Sequence, residues 1–270
     1  MSFAENFRVN PGQVIELKNY DPRDTAGFED KDKTKAETQE DAIAIDALQN
    51  ILYAEGKRSL LVVLQGIDCS GKDGTVRGVF NTCGPIGVVN TSYKAPSPEE
   101  AAHDYLWRIH KACPSRGMIG IFNRSHYEDV LVAKVKKFAA PETIEQRYGQ
   151  INDFEKMLAD NGTTVLKFML NLSKDEQKVR LEERVTDPTK RWKFNPADLT
   201  DRVLWDDYIK AYEIALTRCS TEHAPWHIIP ADRNWVRNGT IAKIVRETLE
   251  KMDLKFPVPT NWDPKTIHII

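Results

Sequence analysis

The stretch Ser59–Phe80, SLLVVLQGIDCSGKDGTVRGVF, decides the fold. Its first half is a short, unbroken apolar run, the signature of a strand buried on both faces. The run ends at Gly66. Gly66-Ile-Asp-Cys-Ser-Gly71-Lys72 then satisfies the spacing G-x-x-x-x-G-K, and a helix-like segment follows. Glycines let backbone N–H groups turn inward around an anion, and the next helix aims its positive end at the same point. Strand, glycine-rich loop and helix in that order are the context a phosphate-binding loop requires. The alternative is a glycine-rich turn with a surface lysine. Two features depart from the usual loop. Asp73 follows the lysine where a hydroxyl is usual, and Asp68 places a second carboxylate inside the loop.

Working outward, strands and helices alternate. GVVNTSY, MIGIFN, TTVLKFMLNL and PWHIIP read as four further strands. Between them lie helical segments: PEEAAHDYLWRIHKAC with Pro98 at its start, YEDVLVAKVKKF, ETIEQRYGQINDFEKMLADNG, SKDEQKVRLEERV with a Ser cap, LTDRVLWDDYIKAYEIALTRCS and NGTIAKIVRETLEKMDL. The alternation implies parallel β-α-β units and an α/β fold with a five-stranded parallel sheet between helices. Ahead of the sheet, Thr38–Glu55 places Ile43, Ala47, Leu48, Ile51 and Leu52 at helical spacing. Residues 1–35 are polar and irregular and read as a solvated arm or linker. The segment VTDPTKRWKFNPADLTD, with two prolines and a basic cluster, reads as a mobile excursion between two helices.

Composition excludes several functions. The net charge of −2 argues against a nucleic-acid or membrane-surface binder, so any anion site comes from local clustering of Lys and Arg. Four cysteines without C-x-x-C pairing suggest neither zinc nor a disulfide framework and fit a reducing cytoplasm. No signal-like start or bilayer-length apolar run is present.

Candidate site residues gather at expected strand ends. In the loop, Gly66, Ser70, Gly71, Gly74 and Thr75 accompany Lys72, whose ammonium can follow a transferred phosphoryl group. Asp68 would repel phosphates unless a cation lies between them, so it reads as a Mg2+ ligand; the alternative is an Asx-type turn residue. Asp73 reads as an acid complementing a helix start. At the end of the third strand, Asn123, Arg124, Glu128 and Asp129 follow in IGIFNRSHYEDV. Arg124 suits phosphate oxygens. Asp129 or Glu128 could face the metal, directly or through water, and His126 reads as a packed or capping residue. Lys190, Arg191 and Lys193 in the excursion, with Arg180 and Arg184 on the helix before it, could close over a polyanion; the alternative is a solvated charge run. Arg233 and Arg237 follow the fifth strand at the same end of the sheet, with helix-capping contacts as the alternative for Arg237.

GIDCSGKDGT, FNRSHYEDV and KRWKF, in this order, resemble the family-2 polyphosphate kinases from about Leu48 to Met252. That resemblance implies a P-loop kinase fold like thymidylate kinase with a helical lid, here at about 180–202, in a kinase domain 56–270, preceded by an arm and helix, 1–55, packed on the core. It implies Mg2+-dependent phosphoryl transfer, with Mn2+ as a substitute, between inorganic polyphosphate and adenine or guanine nucleotides. It implies catalytic roles for Asp68, Lys72 and Arg124, nucleotide or polyphosphate contacts from Arg184, Lys190, Arg191, Lys193 and Arg233, and a homodimer or homotetramer. Many members carry an aspartate where this chain has Asn123; the Asn-Arg-Ser-His-Tyr-Glu-Asp version resembles the class III subgroup, which phosphorylates both nucleoside mono- and diphosphates. The rival within the same fold is an ATP-dependent nucleoside or nucleotide kinase. A rival of another class is a non-catalytic P-loop module that binds nucleotide and signals through lid movement.

Overall fold

A computed structural model describes residues 2–258, 260 and 266. In chain order the α-helices and strands are α1 (Lys31–Glu55), β1 (Ser59–Gln65), α2 (Lys72–Val79), β2 (Val88–Ser92), α3 (Pro98–Ala101), α4 (Trp107–Ala112), β3 (Ile119–Asn123), α5 (Val132–Val135), α6 (Pro141–Asp160), β4 (Thr163–Asn171), α7 (Lys174–Thr186), α8 (Ala197–Val203), α9 (Trp205–Cys219), β5 (Trp226–Pro230) and α10 (Asn234–Lys251). The strands form one sheet in the order β2-β3-β1-β4-β5, with every pairing parallel.

Because side chains alternate across a strand, β1 feeds two cores. Leu60, Val62 and Leu64 face one side, with Ile45 and Leu52 of α1, Val79 of α2 and Ile241 and Val245 of α10. Leu61 and Val63 face the other, with Ile151 of α6 and Ala215 of α9. Burial on both faces is why the strands read as continuous apolar runs. β1 lies between β3 and β4, so the chain leaves it toward opposite sides of the sheet. The crevice at its C-terminal end is where ligands gather in open parallel sheets.

Several local readings are corrected. The polar N-terminal arm is not wholly solvated: Val9, Ile15 and Leu17 are buried. The Val9 N–H donates to the Trp226 carbonyl at 2.8 Å and the Ile228 N–H to the Phe7 carbonyl at 2.9 Å. The arm thus pairs with edge strand β5, whose outer backbone groups need partners. The buried face of α1 is Thr34, Thr38, Ala42, Ile45, Gln49 and Leu52, while Ile43 is exposed. Counting apolar residues misplaces this face because Thr34 and Thr38 satisfy their hydroxyls on carbonyls one turn back, at 2.5 and 2.6 Å. Thr34 then turns its methyl group, and Thr38 its hydroxyl oxygen, toward Gly239 of α10. The segments expected as single helices after Pro98 and Leu199 each split in two, and in place of one helix over YEDVLVAKVKKF there is a 3-10 turn at His126–Asp129 followed by the single turn α5. Among the described residues no helix is long and apolar enough to cross a membrane.

Candidate active site

The loop after β1 takes its shape from three positive-φ residues: Gly66 at 153°, Cys69 at 71° and Gly71 at 97°. At Gly66 a Cβ would lie 2.9 Å from the Leu170 carbonyl, and at Gly71 it would lie 1.9 Å from Arg237 Nη1, so neither position has room for a side chain. Helix α2 starts at the next residue, leaving the free N–H groups of its first turn at the loop mouth. Lys72 folds back over the loop. Its Nζ donates to the Gly66 carbonyl at 2.7 Å and to the Ile67 carbonyl at 3.4 Å. Burial, with repulsion from Arg124, brings its pKa down to about 8.

Arg124 sits in the left-handed region at φ 64°, just past the end of β3. A non-glycine residue held there is strained unless its surroundings require it. The turn delivers its guanidinium to Asp68 at 2.5 Å and to Glu128 at 3.3 Å. Burial alone would raise the Asp68 pKa, but Arg124, Lys72 and Arg184 outweigh it and hold the carboxyl below its usual range. Asp68 is therefore a carboxylate at neutral pH. Asn123 Nδ2 donates to Asp73 at 2.5 Å, so the acid after the loop lysine is tied to the end of β3. Thr75 is buried, its hydroxyl donating to the Gly71 carbonyl at 3.2 Å.

The remaining sequence candidates divide. Arg184 pairs with Asp198 at 3.0 Å and lies near enough to Asp68 to lower its pKa. Asp129 turns away from the loop to Arg147 at 3.5 Å, so Glu128 is the acid that shares Arg124 with Asp68. Lys190 pairs locally with Glu183 at 3.0 Å, Arg191 donates to the Val185 carbonyl, and Lys193 stands 5.1 Å over the exposed Trp192 ring. Arg233 donates to the Arg23 carbonyl of the N-terminal arm. These four cations are not gathered at the loop mouth.

Two sets of contacts lie beyond the sequence reading, in which Arg180 and Arg237 are phosphate candidates and Gln177, Glu155 and Lys167 are not named. Gln177, Arg180 and Arg237 contact the carbonyl side of the loop. Behind Arg124 lies a fully buried cluster: Lys167 Nζ donates to Glu155 at 2.5 Å and to the Tyr127 hydroxyl at 2.8 Å, and His126 Nε2 is 3.1 Å from Glu155. A lysine in the middle of an apolar strand, in TTVLKFML, is the signal that a buried acid must meet it. His126 is packed, as its reading held, and its partner lies on α6.

A glycine-rich loop leading into a helix start, a lysine, and an arginine between two carboxylates can neutralise and align phosphate groups. Comparison with known proteins agrees. The polyphosphate kinase 2 family model matches residues 28–257. The AMP/ADP-polyphosphate phosphotransferase of Meiothermus ruber is 48% identical over 97% of this chain and 99% of its own length. The ADP-polyphosphate phosphotransferase of Rhodopseudomonas palustris is 36% identical over 95% of this chain and 93% of its own. The crystal structure of polyphosphate kinase 2 from Arthrobacter aurescens TC1 superposes with a TM-score of 0.94 at 42% identity, covering 98% of this chain and 94% of that one. On these grounds the chain belongs to the polyphosphate kinase 2 family.

Proposed function

We propose that the protein transfers the terminal phosphoryl group of inorganic polyphosphate to AMP and ADP, and to the corresponding guanine nucleotides, giving the di- and triphosphates reversibly. The observation that carries this reading is the Lys72–Asp68–Arg124–Glu128 arrangement at the loop mouth, in a chain nearly half identical along its length to an AMP/ADP-polyphosphate phosphotransferase.

The chemistry follows from charge. The attacking group is a terminal phosphate oxygen of the nucleotide, whose second pKa is near 6, so no general base is needed. A P–O bond forms to that oxygen as the bond to the bridging oxygen of polyphosphate breaks, and the chain leaves one unit shorter. The obstacle is bringing two polyanions into line, so positioning and charge neutralisation supply most of the catalysis. Loop amides and Lys72 hold the phosphates at the reacting centre. Arg124 spans the transferred and accepting groups, exchanging its contacts with Asp68 and Glu128 for phosphate oxygens.

The donor set at the mouth is oxygen-only, which fits a hard divalent cation. Among the described residues no three His, Cys, Asp or Glu side chains gather into a metal cage. That arrangement suits Mg2+, which takes one or two carboxylates and completes its shell with water and substrate phosphates. Asp68 is the first candidate ligand, with Glu128 favoured over Asp129 by its side of the loop. A bound cation would be held by Asp68 and Glu128 and would supply neutralisation of phosphate charge. Mn2+ can substitute for it.

The segment of about 180–202 acts as the lid of a kinase domain 56–270, with Lys190, Arg191 and Lys193 reaching the substrates only when it closes, and Arg233, past β5, reaching them by exchanging its contact with the N-terminal arm. All four cysteines are free, consistent with a cytoplasmic enzyme. A homodimer or homotetramer is expected, and light scattering would measure it. The deciding assay supplies AMP or ADP, Mg2+ and polyphosphate without ATP, and follows ADP and ATP by chromatography. Product from polyphosphate supports the reading. Product only when ATP or GTP replaces polyphosphate would make this an ordinary nucleotide kinase.

A further inference from the structure

Three consecutive carbonyls of the phosphate loop are each held by a side chain from behind. The Asp68 carbonyl accepts from Gln177 Nε2 at 3.1 Å. The Cys69 carbonyl accepts from Arg180 Nη1 at 2.9 Å. The Ser70 carbonyl accepts from Arg237 Nη1 at 3.2 Å. Gln177 and Arg180 are three residues apart and share a face of α7. Arg237 comes from α10 and is near enough to Arg180 for the two charges to repel, so the three side chains approach from one side.

A trans peptide points the C=O of one residue and the N–H of the next in opposite directions within its plane, on either side of the C–N bond. Pulling these carbonyls backward therefore turns the N–H groups of Cys69, Ser70 and Gly71 forward. Ser70 uses its N–H on the Ile67 carbonyl at 3.0 Å, which closes the turn. Those of Cys69 and Gly71 face the mouth. Cys69 can hold its left-handed φ of 71° because both carbonyls flanking its own N–H and C=O are tied down.

The clamp is also charged and buried. Arg237 is 1% exposed, and its hydrogen-bond acceptors, the Ser70 carbonyl and the side-chain amides of Asn234 and Asn238, are neutral. A guanidinium buried among neutral acceptors is costly without a counter-charge. Burial brings its pKa down to about 9. An anion at the loop mouth would lie across a single peptide layer from Arg237 and would supply that counter-charge. The orientation of Gln177 is settled from outside the loop: Arg202 of α8 donates to its Oε1 at 2.7 Å, leaving Nε2 for Asp68.

We infer that Gln177, Arg180 and Arg237 are positioning residues that aim the phosphate-binding amides and that Arg237 adds a buried positive charge to the anion site. The inference rests on the polyphosphate reading above. The test measures binding of inorganic tripolyphosphate by calorimetry, and steady-state kinetics with polyphosphate and ADP, in wild type, R237M, R237K, R180M and Q177L, at a temperature where circular dichroism shows each folded. R237M is expected to weaken tripolyphosphate binding at least tenfold and to lower kcat by a similar factor, with the KM for ADP within about threefold. R237K keeps the charge without the fork and is expected to recover part of the affinity and little of the kcat. R180M and Q177L are expected to lose about three- to tenfold in kcat, and they decide the matter if R237M does not fold. Wild-type affinity and kcat in the folded variants would overturn the inference. A wild type that neither binds tripolyphosphate nor uses polyphosphate would overturn the functional reading instead.

Discussion

The loop after β1 and the basic excursion after α7 both carry positive charge that the proposed function directs at a polyanion, yet they are built in opposite ways. The loop is immobilised. Lys72 is buried, the glycines have no room for a Cβ, and the carbonyls of residues 66 to 70 all have partners. The basic part of the excursion is held by near neighbours: Lys190 pairs with Glu183 and Asp187 seven and three residues away, and Trp192 is 75% exposed, while Asp198 and Asp201 farther on pair with Arg184 and Lys136. A site for bond transfer needs charge fixed in advance, since each dipole already aligned removes reorganisation from the barrier. To act as the proposed lid, the excursion needs charge held weakly enough to be exchanged, and exposed ion pairs meet that need because each contributes only about 0–1 kcal/mol.

The comparison is broken most directly at the loop mouth. Lys72→Ala and Asp68→Asn are each expected to reduce turnover by about a hundredfold or more while far-UV circular dichroism stays native, the usual scale for removing one preorganised charge. Near-normal kcat in either variant would remove that residue from the mechanism. Next in size is Gly71→Ala. Its Cβ would sit 1.9 Å from Arg237 Nη1 at φ 97°, so about 1–3 kcal/mol of strain, a tenfold to hundredfold loss, is expected in polyphosphate affinity. Gly84→Ala, which meets nothing within 4 Å, serves as the control. Equal affinities in the two variants would show that the loop tolerates movement.

The pH dependence sharpens the same contrast. Lys72 has a pKa of about 8 in the free protein, so raising the pH through 8 removes the charge that a phosphate needs. Bound phosphate favours the charged form and raises that pKa. Binding of tripolyphosphate at pH 8.5–9 should therefore take up as much as one proton, and affinity should fall by up to about tenfold per pH unit there. Calorimetry in buffers of different ionisation enthalpy reads this directly, and a buffer-independent enthalpy at pH 9 would contradict it. The smallest effect belongs to the excursion. Lys190→Ala and Trp192→Ala are expected to raise the KM for polyphosphate about three- to tenfold, with thermal stability changed by less than about 1 kcal/mol. A large fall in melting temperature would mean that this segment is structural.

Much of this organisation was legible in the chain. The glycine spacing placed the loop, and the alternation of apolar runs with helical segments placed the parallel sheet. IGIFNR put Arg124 at a strand end. What could not be read were pairings between distant residues. Asp129 and Glu128 are adjacent, and no local pattern says that one turns to Arg147 and the other to Arg124. Thr34 and Thr38 count as polar in any periodicity, although their hydroxyls are satisfied within the helix. Arg237 reads as a residue at the phosphate end of the sheet, with helix capping as the alternative, and its place behind the Ser70 carbonyl is seen only once α10 is packed against α2 and the loop.

The sequence by itself determined the residues whose role depends on near neighbours. Glycines allow a positive φ, a strand-loop-helix run points amides at one spot, and a lysine after the second glycine lies within reach of them. Only the tertiary structure decided how charge is distributed around that spot. It ties Asp73 to Asn123 and Asp68 to Arg124, sets Arg237 and Arg180 behind the loop, and leaves the excursion's cations to their own neighbours. The physical reason is range. Backbone conformation is set within a few residues, whereas burial and Coulomb interaction depend on distance in space, which a sequence specifies only once it has folded.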